Sequence, residues 1–192
     1  AKIKSHYQPQ IKGDIDAITA LVAAMETAEK PIFYTGGGVI NAGPQASKDL
    51  TEFVKMTGYP ITSTLMGLGA FPAREEQWLG MLGMHGTYEA NWAMHDCDVM
   101  VCIGARFDDR ITGRLDAFAP HSKKIHIDID PSSINKNVHV DIPIIGDCAH
   151  VLEDMIRIWK SKVAQPNKAA MADWWRQIDM WRGRKSLSYV QS

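Results

Sequence analysis

The stretch Asp98-Val-Met-Val-Cys-Ile103 is apolar after its first residue and runs straight into Gly104-Ala105-Arg106-Phe107-Asp108-Asp109-Arg110. A short, continuous apolar run closed by a glycine reads as a strand buried on both faces, and such strands belong to parallel sheets covered by helices. Four charges then surround one aromatic between Arg106 and Arg110. In an open α/β sheet, ligands bind outside the carboxyl ends of the strands, where loops bring backbone amides and charged side chains together. The same stretch therefore indicates a fold class and the edge on which to look for a site.

Outward from it, helical and strand patterns alternate. Ile15, Ile18, Leu21, Val22 and Met25 recur at helical spacing after Asp14, a suitable N-cap, and Pro31 breaks the pattern. Ile32-Phe-Tyr-Thr35 is then a strand emptying into Gly36-Gly37-Gly38. Pro44 opens a helix carrying Leu50, Phe53, Val54 and Met56, and Gly58 stops it. Pro60-Ile-Thr-Ser63 is the next strand, and Leu65 to His85 is expected to be a long glycine-punctuated loop before a helix from Thr87 to His95. After the 98–103 strand come a strand at Lys124–Ile129, a helical turn opened by Pro131, an edge strand at Val140–Ile145 and a helix through Val151, Leu152, Met155, Ile156 and Trp159. The edge assignment rests on Pro143, which has no N–H to give a ladder. The alternation predicts right-handed βαβ units.

The 192 residues suit a body at 1–165 and an appendage at 166–192. In the appendage Trp174, Trp175, Ile178 and Trp181 crowd one helix, more aromatic surface than a solvated tail carries. Two readings stay open: the helix packs on the body, or it docks on a domain outside this sequence. Charges nearly cancel, 21 basic against 22 acidic, without a Lys/Arg stripe, which disfavours nucleic acid and anionic membrane as partners. Cys97, Cys102 and Cys148 lie in or beside apolar stretches and form no C-x-x-C, as expected of reduced, buried thiols in a cytoplasmic protein. No apolar run reaches membrane-spanning length, and the beginning lacks a signal-peptide core, suggesting a cut from a longer chain.

A glycine-rich turn after a first strand lets a backbone approach a diphosphate. Here the nucleotide spacing fails, because Gly36-Gly37-Gly38-Val39-Ile40-Asn41 has no third spaced glycine and the helix is expected only near Pro44. The second strand ends in Thr62-Ser63-Thr64-Leu65, without the carboxylate that holds an adenosine ribose, so ordinary Rossmann binding of NAD is disfavoured. Convergence speaks for a site nonetheless. Gly36–Gly38, Thr64–Gly69, Gly104–Arg110, Asp128–Pro131 and Gly146-Asp147 all fall at carboxyl ends of strands. Arg106 and Arg110 are suited to a diphosphate, and Asp128 and Asp130 to ribose hydroxyls or an adenine amine, although a helix cap is the simpler role for Asp130. The histidines show no metal spacing, and no nucleophile elbow, P-loop or Cys/His pair is present as a local motif.

Gly36-Gly37-Gly38, Thr64-Leu65-Met66-Gly67, Leu82-Gly83-Met84-His85-Gly86, Gly104 through Gly113, Ile125-His-Ile-Asp-Ile-Asp-Pro131, Ile134-Asn-Lys136 and Gly146-Asp147 resemble the central domain of the acetolactate synthase (acetohydroxyacid synthase) family of thiamine-diphosphate enzymes. The Arg-Phe-Asp-Asp-Arg string is the specific element, and the tryptophan-bearing tail resembles that family's linker to its third domain. The resemblance implies an α/β, Rossmann-like sheet of deoxyhypusine-synthase-like NAD/FAD-binding type, parallel, with about six strands and helices on both faces. It implies a parent that condenses two pyruvates, or pyruvate and 2-oxobutyrate, with loss of CO2 in branched-chain amino-acid biosynthesis. Thiamine diphosphate and Mg2+ would be held by the parent's first and third domains, not here, since Gly146-Asp147-Cys148 is not the Gly-Asp-Gly motif of the metal site.

By the same resemblance this region binds FAD, weakly or not at all when isolated, with the flavin doing no net redox work. The implied contacts are Gly36, Gly37, Gly38, Thr64, Leu65, Met84, His85, Gly104, Ala105, Arg106, Asp108, Arg110, Asp128, Ile129, Asp147 and Cys148. Met84, Asp109 and Arg110 would border the substrate channel; no catalytic residue and no metal ligand is expected. The implied partners are the two other domains, further copies of the parent in a dimer or tetramer, and a regulatory subunit. The alternatives are a self-sufficient NAD-dependent enzyme of the same fold, or the central domain of another thiamine-diphosphate carboligase or decarboxylase.

Overall fold

The computed structural model describes residues 9–162 and 164–188, and within these the side chains of Asp109, Arg110 and Asp116 lie outside the description. Six parallel strands form one open sheet in the order β3-β2-β1-β4-β5-β6. They are β1 (Pro31–Thr35), β2 (Ile61–Ser63), β3 (Trp78–Met81), β4 (Val99–Ile103), β5 (Lys123–Asp128) and β6 (Ile142–Ile145). Every residue of β1 and β4 is buried, which requires cover on both faces of the sheet centre. Helices α1 (Ile15–Thr27) and α3 (Pro44–Thr57) each pack on α6 (Cys148–Ser161), and α4 (Tyr88–Asp96) packs with α7 (Lys168–Arg182). The α/β reading thus holds, and so does the edge position of β6, where Pro143 lies opposite His126.

Local chemistry explains the boundaries. The Asp14 carboxylate accepts the Asp16 amide to open α1, and Gly58 closes α3 in the left-handed conformation (φ 74°) with its N–H on the Val54 carbonyl. Two elements depart from the sequence expectation. The Leu65–His85 stretch is not all loop, because Trp78-Leu-Gly-Met81 pairs with β2 as the edge strand β3. The glycine triplet is not a plain turn before a later helix either, since Gly37–Asn41 is a short helix, α2, with Gly36 as its N-cap.

The tail resolves toward the body. Trp174 is buried, and its indole N–H donates to the Pro31 carbonyl at the start of β1. Trp175 donates to the Gly58 carbonyl just ahead of β2, and the Arg182 guanidinium donates to the Glu76 and Trp78 carbonyls at the start of β3. Helix α7 therefore crosses the amino ends of three adjacent strands and satisfies a backbone acceptor at each. The carboxyl ends, where the unusual residues lie, stay open.

Candidate functional site

The order of the sheet reverses between β1 and β4: the chain builds outward from β1 to β3, then returns to β4 and builds the other way. A crevice is left at such a switch point, because the loops leaving the two strands run in opposite directions. A cleft of about 660 Å³ lies there, lined by residues following β1 (Gly37, Gly38, Asn41, Ala42), β2 (Thr64, Leu65, Met66) and β4 (Gly104, Ala105, Arg106, Asp108, Ile111), by Asp128, Ile129, Asp130 and Ser133 at β5, and by Asp147 and Cys148 after β6. That volume is of the order that small-molecule and cofactor sites use.

The glycines owe their identity to packing as much as to any ligand. A methyl group on Gly36 would stand 2.4 Å from the Gly104 carbonyl oxygen, and one on Gly38 would stand 2.6 Å from the Gly104 Cα. The turns after β1 and β4 thus meet backbone to backbone, closed by the Gly38 N–H on the Gly104 carbonyl at 2.9 Å. Gly37 differs, since a methyl there would meet only Met66, at 3.2 Å from its Cβ and 3.4 Å from its carbonyl oxygen.

Among the described lining residues one cation, Arg106, stands against the carboxylates of Asp108, Asp128, Asp130 and Asp147. Arg106 pairs with Asp108 at 3.0 Å, its own side chain mostly and that of Asp108 partly in solvent, so its guanidinium is held loosely and stays available to an anion. Three of the carboxylates are committed to the backbone. Asp147 caps α6 by accepting the Ala149 amide, and Asp130 accepts both the amide and the hydroxyl of Ser132, bonds that hold its carboxyl below the usual range. Asp128 accepts the Asp130 amide. Carboxylates fixed this way suit hydroxyl and amine donors better than phosphate. The thiol of Cys148 is pushed up to about 12, first by burial and then by Asp147 and Asp128, which keeps it protonated and unreactive; burial pushes Cys97 to about 12 as well.

Of the residues expected at the site, Gly37, Gly38, Thr64, Leu65, Gly104, Ala105, Arg106, Asp108, Asp128, Ile129, Asp147 and Cys148 line this cleft. Gly36 sits buried behind it as the α2 cap. Met84 and His85 do not line it; they follow the edge strand β3, two strands from β1, with Met84 exposed. Asp109 and Arg110 begin the short helix α5 (Asp109–Thr112), and the direction of their side chains falls outside the described residues. Asn41, Ala42, Met66, Ile111 and Ser133 line the cleft without having been singled out as contacts. Asn41 and Ala42 escaped because α2 was not recognised; had a helix been placed at Gly37, its last turn would have pointed to them.

The model of the family described as "Thiamine pyrophosphate enzyme, central domain" matches residues 18–155, from α1 to α6. The chain belongs to that family. This central domain is 46% identical over 183 residues to the acetolactate synthase isozyme 3 large subunit of Escherichia coli, covering 95% of the chain and 32% of that protein. It is 44% identical to the acetolactate synthase large subunit of Haemophilus influenzae, again over 95% of the chain and 31% of the relative, and 44% identical to the acetolactate synthase of Mycobacterium avium, over 95% and 29%. The chain thus spans about a third of the length of these curated relatives. The family match to the central domain stops within α6, so α7 lies beyond it while resting on its sheet.

Proposed function

We propose that this chain is the FAD-binding central domain of an acetolactate synthase, and that the cleft at the β1/β4 switch point is its flavin site. The observation that carries the reading is the composition of the cleft: a loosely paired Arg106 beside backbone-fixed carboxylates and the apolar Leu65, Met66 and Ile111. FAD offers a matching set of groups, namely a diphosphate, two polyhydroxyl segments, an adenine amine and apolar rings. Arg106 would hold the diphosphate, Asp128 and Asp130 the hydroxyl or amine donors, and Leu65, Met66 and Ile111 the ring system. The absence of a carboxylate where β2 ends in Ser63 and Thr64 favours this arrangement over ordinary NAD binding.

In this reading residues 1–165 form the cofactor-binding body and residues 166–192 its helical extension toward a third domain. The whole enzyme condenses two pyruvates, or pyruvate and 2-oxobutyrate, with loss of CO2. Thiamine diphosphate with Mg2+, held by the other domains, supplies the chemistry of carbon–carbon bond formation, and FAD adds no net redox step. The described residues of this chain contribute binding, orientation and a wall that excludes water; Asp147 caps α6 and is not assigned to the metal. Met84, Asp109 and Arg110 border the substrate channel in the same reading. Copies of the parent as a dimer or tetramer, and a regulatory subunit, are its expected partners in the cytoplasm.

The intact polypeptide tests the proposal. Acetolactate should form from pyruvate with thiamine diphosphate, Mg2+ and FAD, and heat denaturation of the purified protein should release FAD. Turnover of pyruvate to another product, or full activity in a protein that never acquires flavin, would overturn it.

A further inference from the structure

Three consecutive carbonyls of the loop after β4 are each held by a side chain from a different part of the fold. The Ala105 oxygen lies 2.7 Å from His126 Nε2 and 3.2 Å from the Cys102 thiol, the Arg106 oxygen accepts from the Tyr34 hydroxyl at 3.2 Å, and the Phe107 oxygen accepts from Asn137 Nδ2 at 2.8 Å. His126 on β5 is wholly buried, with its ring against Phe107 at 5.1 Å. A carbonyl can only accept, so Nε2 carries the proton, and Nδ1 has no partner among the described residues. Asp128 carries a charge 3.8 Å from Nε2.

In a trans peptide the carbonyl of one residue and the amide of the next point in opposite directions, and among the described residues no peptide is cis. With the Ala105 oxygen turned down onto the buried imidazole, the Arg106 amide is turned away from the core. Among the described residues nothing accepts from that amide. Both Ala105 and Arg106 line the cleft, so the amide adds a fixed donor beside the Arg106 guanidinium.

We propose that His126 is the positioning residue of the ligand-binding loop: its Nε2–H holds the Ala105 carbonyl inward, which presents the Arg106 amide and side chain to an anionic group of the ligand. The inference rests on the dinucleotide reading above. Tyr34, whose phenol burial keeps protonated, secures the next peptide in the same way.

The test compares His126→Leu, which removes the donor, with His126→Gln, which keeps an N–H of similar reach, and with Tyr34→Phe, in the intact polypeptide. Two measurements are made: backbone amide order parameters of residues 105–108 from NMR relaxation in ligand-free protein, and FAD affinity by flavin fluorescence. His126→Leu should lower the order parameters at 105–108 and weaken FAD by about tenfold, with β1 unchanged, and His126→Gln should recover most of both. Tyr34→Phe should reproduce the loss of loop order more weakly, and it decides the matter should His126→Leu fail to fold. Wild-type order parameters and affinity in His126→Leu, or a Gln variant as impaired as Leu, would overturn the assignment. A wild type that binds no FAD would refute the dinucleotide reading instead, and the order-parameter comparison alone would then judge His126.

Discussion

Replacing Gly38 by alanine should harm this protein far more than replacing Gly37, although the two are neighbours in one glycine triplet. The Gly38 methyl would lie 2.6 Å from Gly104 Cα and 3.0 Å from the Gly104 oxygen, backbone atoms that no rotamer change can move. Relief requires α2 to separate from the β4 turn, which lengthens the 2.9 Å bond from the Gly38 amide to the Gly104 carbonyl. Overpacking of this kind costs about 1–3 kcal/mol and loss of the bond about 1 more, while the helix preference of alanine over glycine returns at most about 1. A net loss of about 1–3 kcal/mol lowers the melting midpoint of a chain this size by roughly 2–12 °C. At Gly37 the new methyl meets Met66 Cβ at 3.2 Å and its carbonyl oxygen at 3.4 Å, an adjustment of a few tenths of an ångström beside an exposed side chain, so the change should stay within about 0.5 kcal/mol of neutral. Thermal and urea unfolding of the three proteins measures the difference. If Gly38→Ala melts with the wild type, or Gly37→Ala falls as far, the packing explanation of the triplet is wrong and ligand approach becomes the better one.

Other consequences are open to measurement. Arg106→Ala should reduce flavin occupancy of the intact polypeptide by about tenfold or more through loss of a charge-assisted contact, and it should leave the melting midpoint unchanged because its pair with Asp108 is exposed; unaltered flavin content after purification would contradict the assigned role. The 192-residue chain alone should form no acetolactate and bind FAD only weakly, which a fluorescence titration reads directly; tight binding would show its site to be complete. Trp174→Phe should destabilise the chain by about 1–3 kcal/mol, since it strips the Pro31 carbonyl of its donor in a buried position, and a silent substitution in urea unfolding would mean that α7 is not integral to the fold. Burial lowers the pKa of His126 below its ordinary 6.5, so its contribution to stability should be complete above that value and drain away as the unfolded chain takes up the proton first on acidification; His126→Gln should flatten this part of the stability–pH profile.

Much of this architecture was legible because its central strands are unambiguous. Ile32 to Thr35 and Val99 to Ile103 are apolar or β-branched throughout, and Asp14 and Gly58 are strong boundary residues for the helices beside them. β3 was not legible: Trp78-Leu-Gly-Met81 is four residues long, holds Gly80 at a positive φ of 88°, and pairs on one side only with an irregular register. Missing that strand also obscured the position of Met84 and His85, since whether a loop borders the β1/β4 crevice depends on strand order, which local sequence does not carry. The short helix α2 escaped for a related reason. Gly37 and Gly38 have poor helical propensity, and what fixes the turn is contact of Gly36 and Gly38 with Gly104, a residue 66 positions beyond Gly38. The edge of the sheet that bears the site could be read from Gly104, Arg106, Asp108 and Asp128, whereas the support beneath the loop could not, because His126 reads as one more residue of a buried strand.

Helix α7 has a mechanical corollary. Its donors grip the chain at the starts of β1, β2 and β3 at separate points, so a pull applied from beyond Ser186 would first part Ser186 and Arg184 from Tyr88, then meet the Arg182 contacts at β3, then Trp175 and Trp174. Such a load would detach the helix stepwise from one flank of the sheet toward its middle, on the side away from the cleft. A single-molecule trace should accordingly display a small early extension before the main rupture, with the ligand-bearing edge intact between the two events.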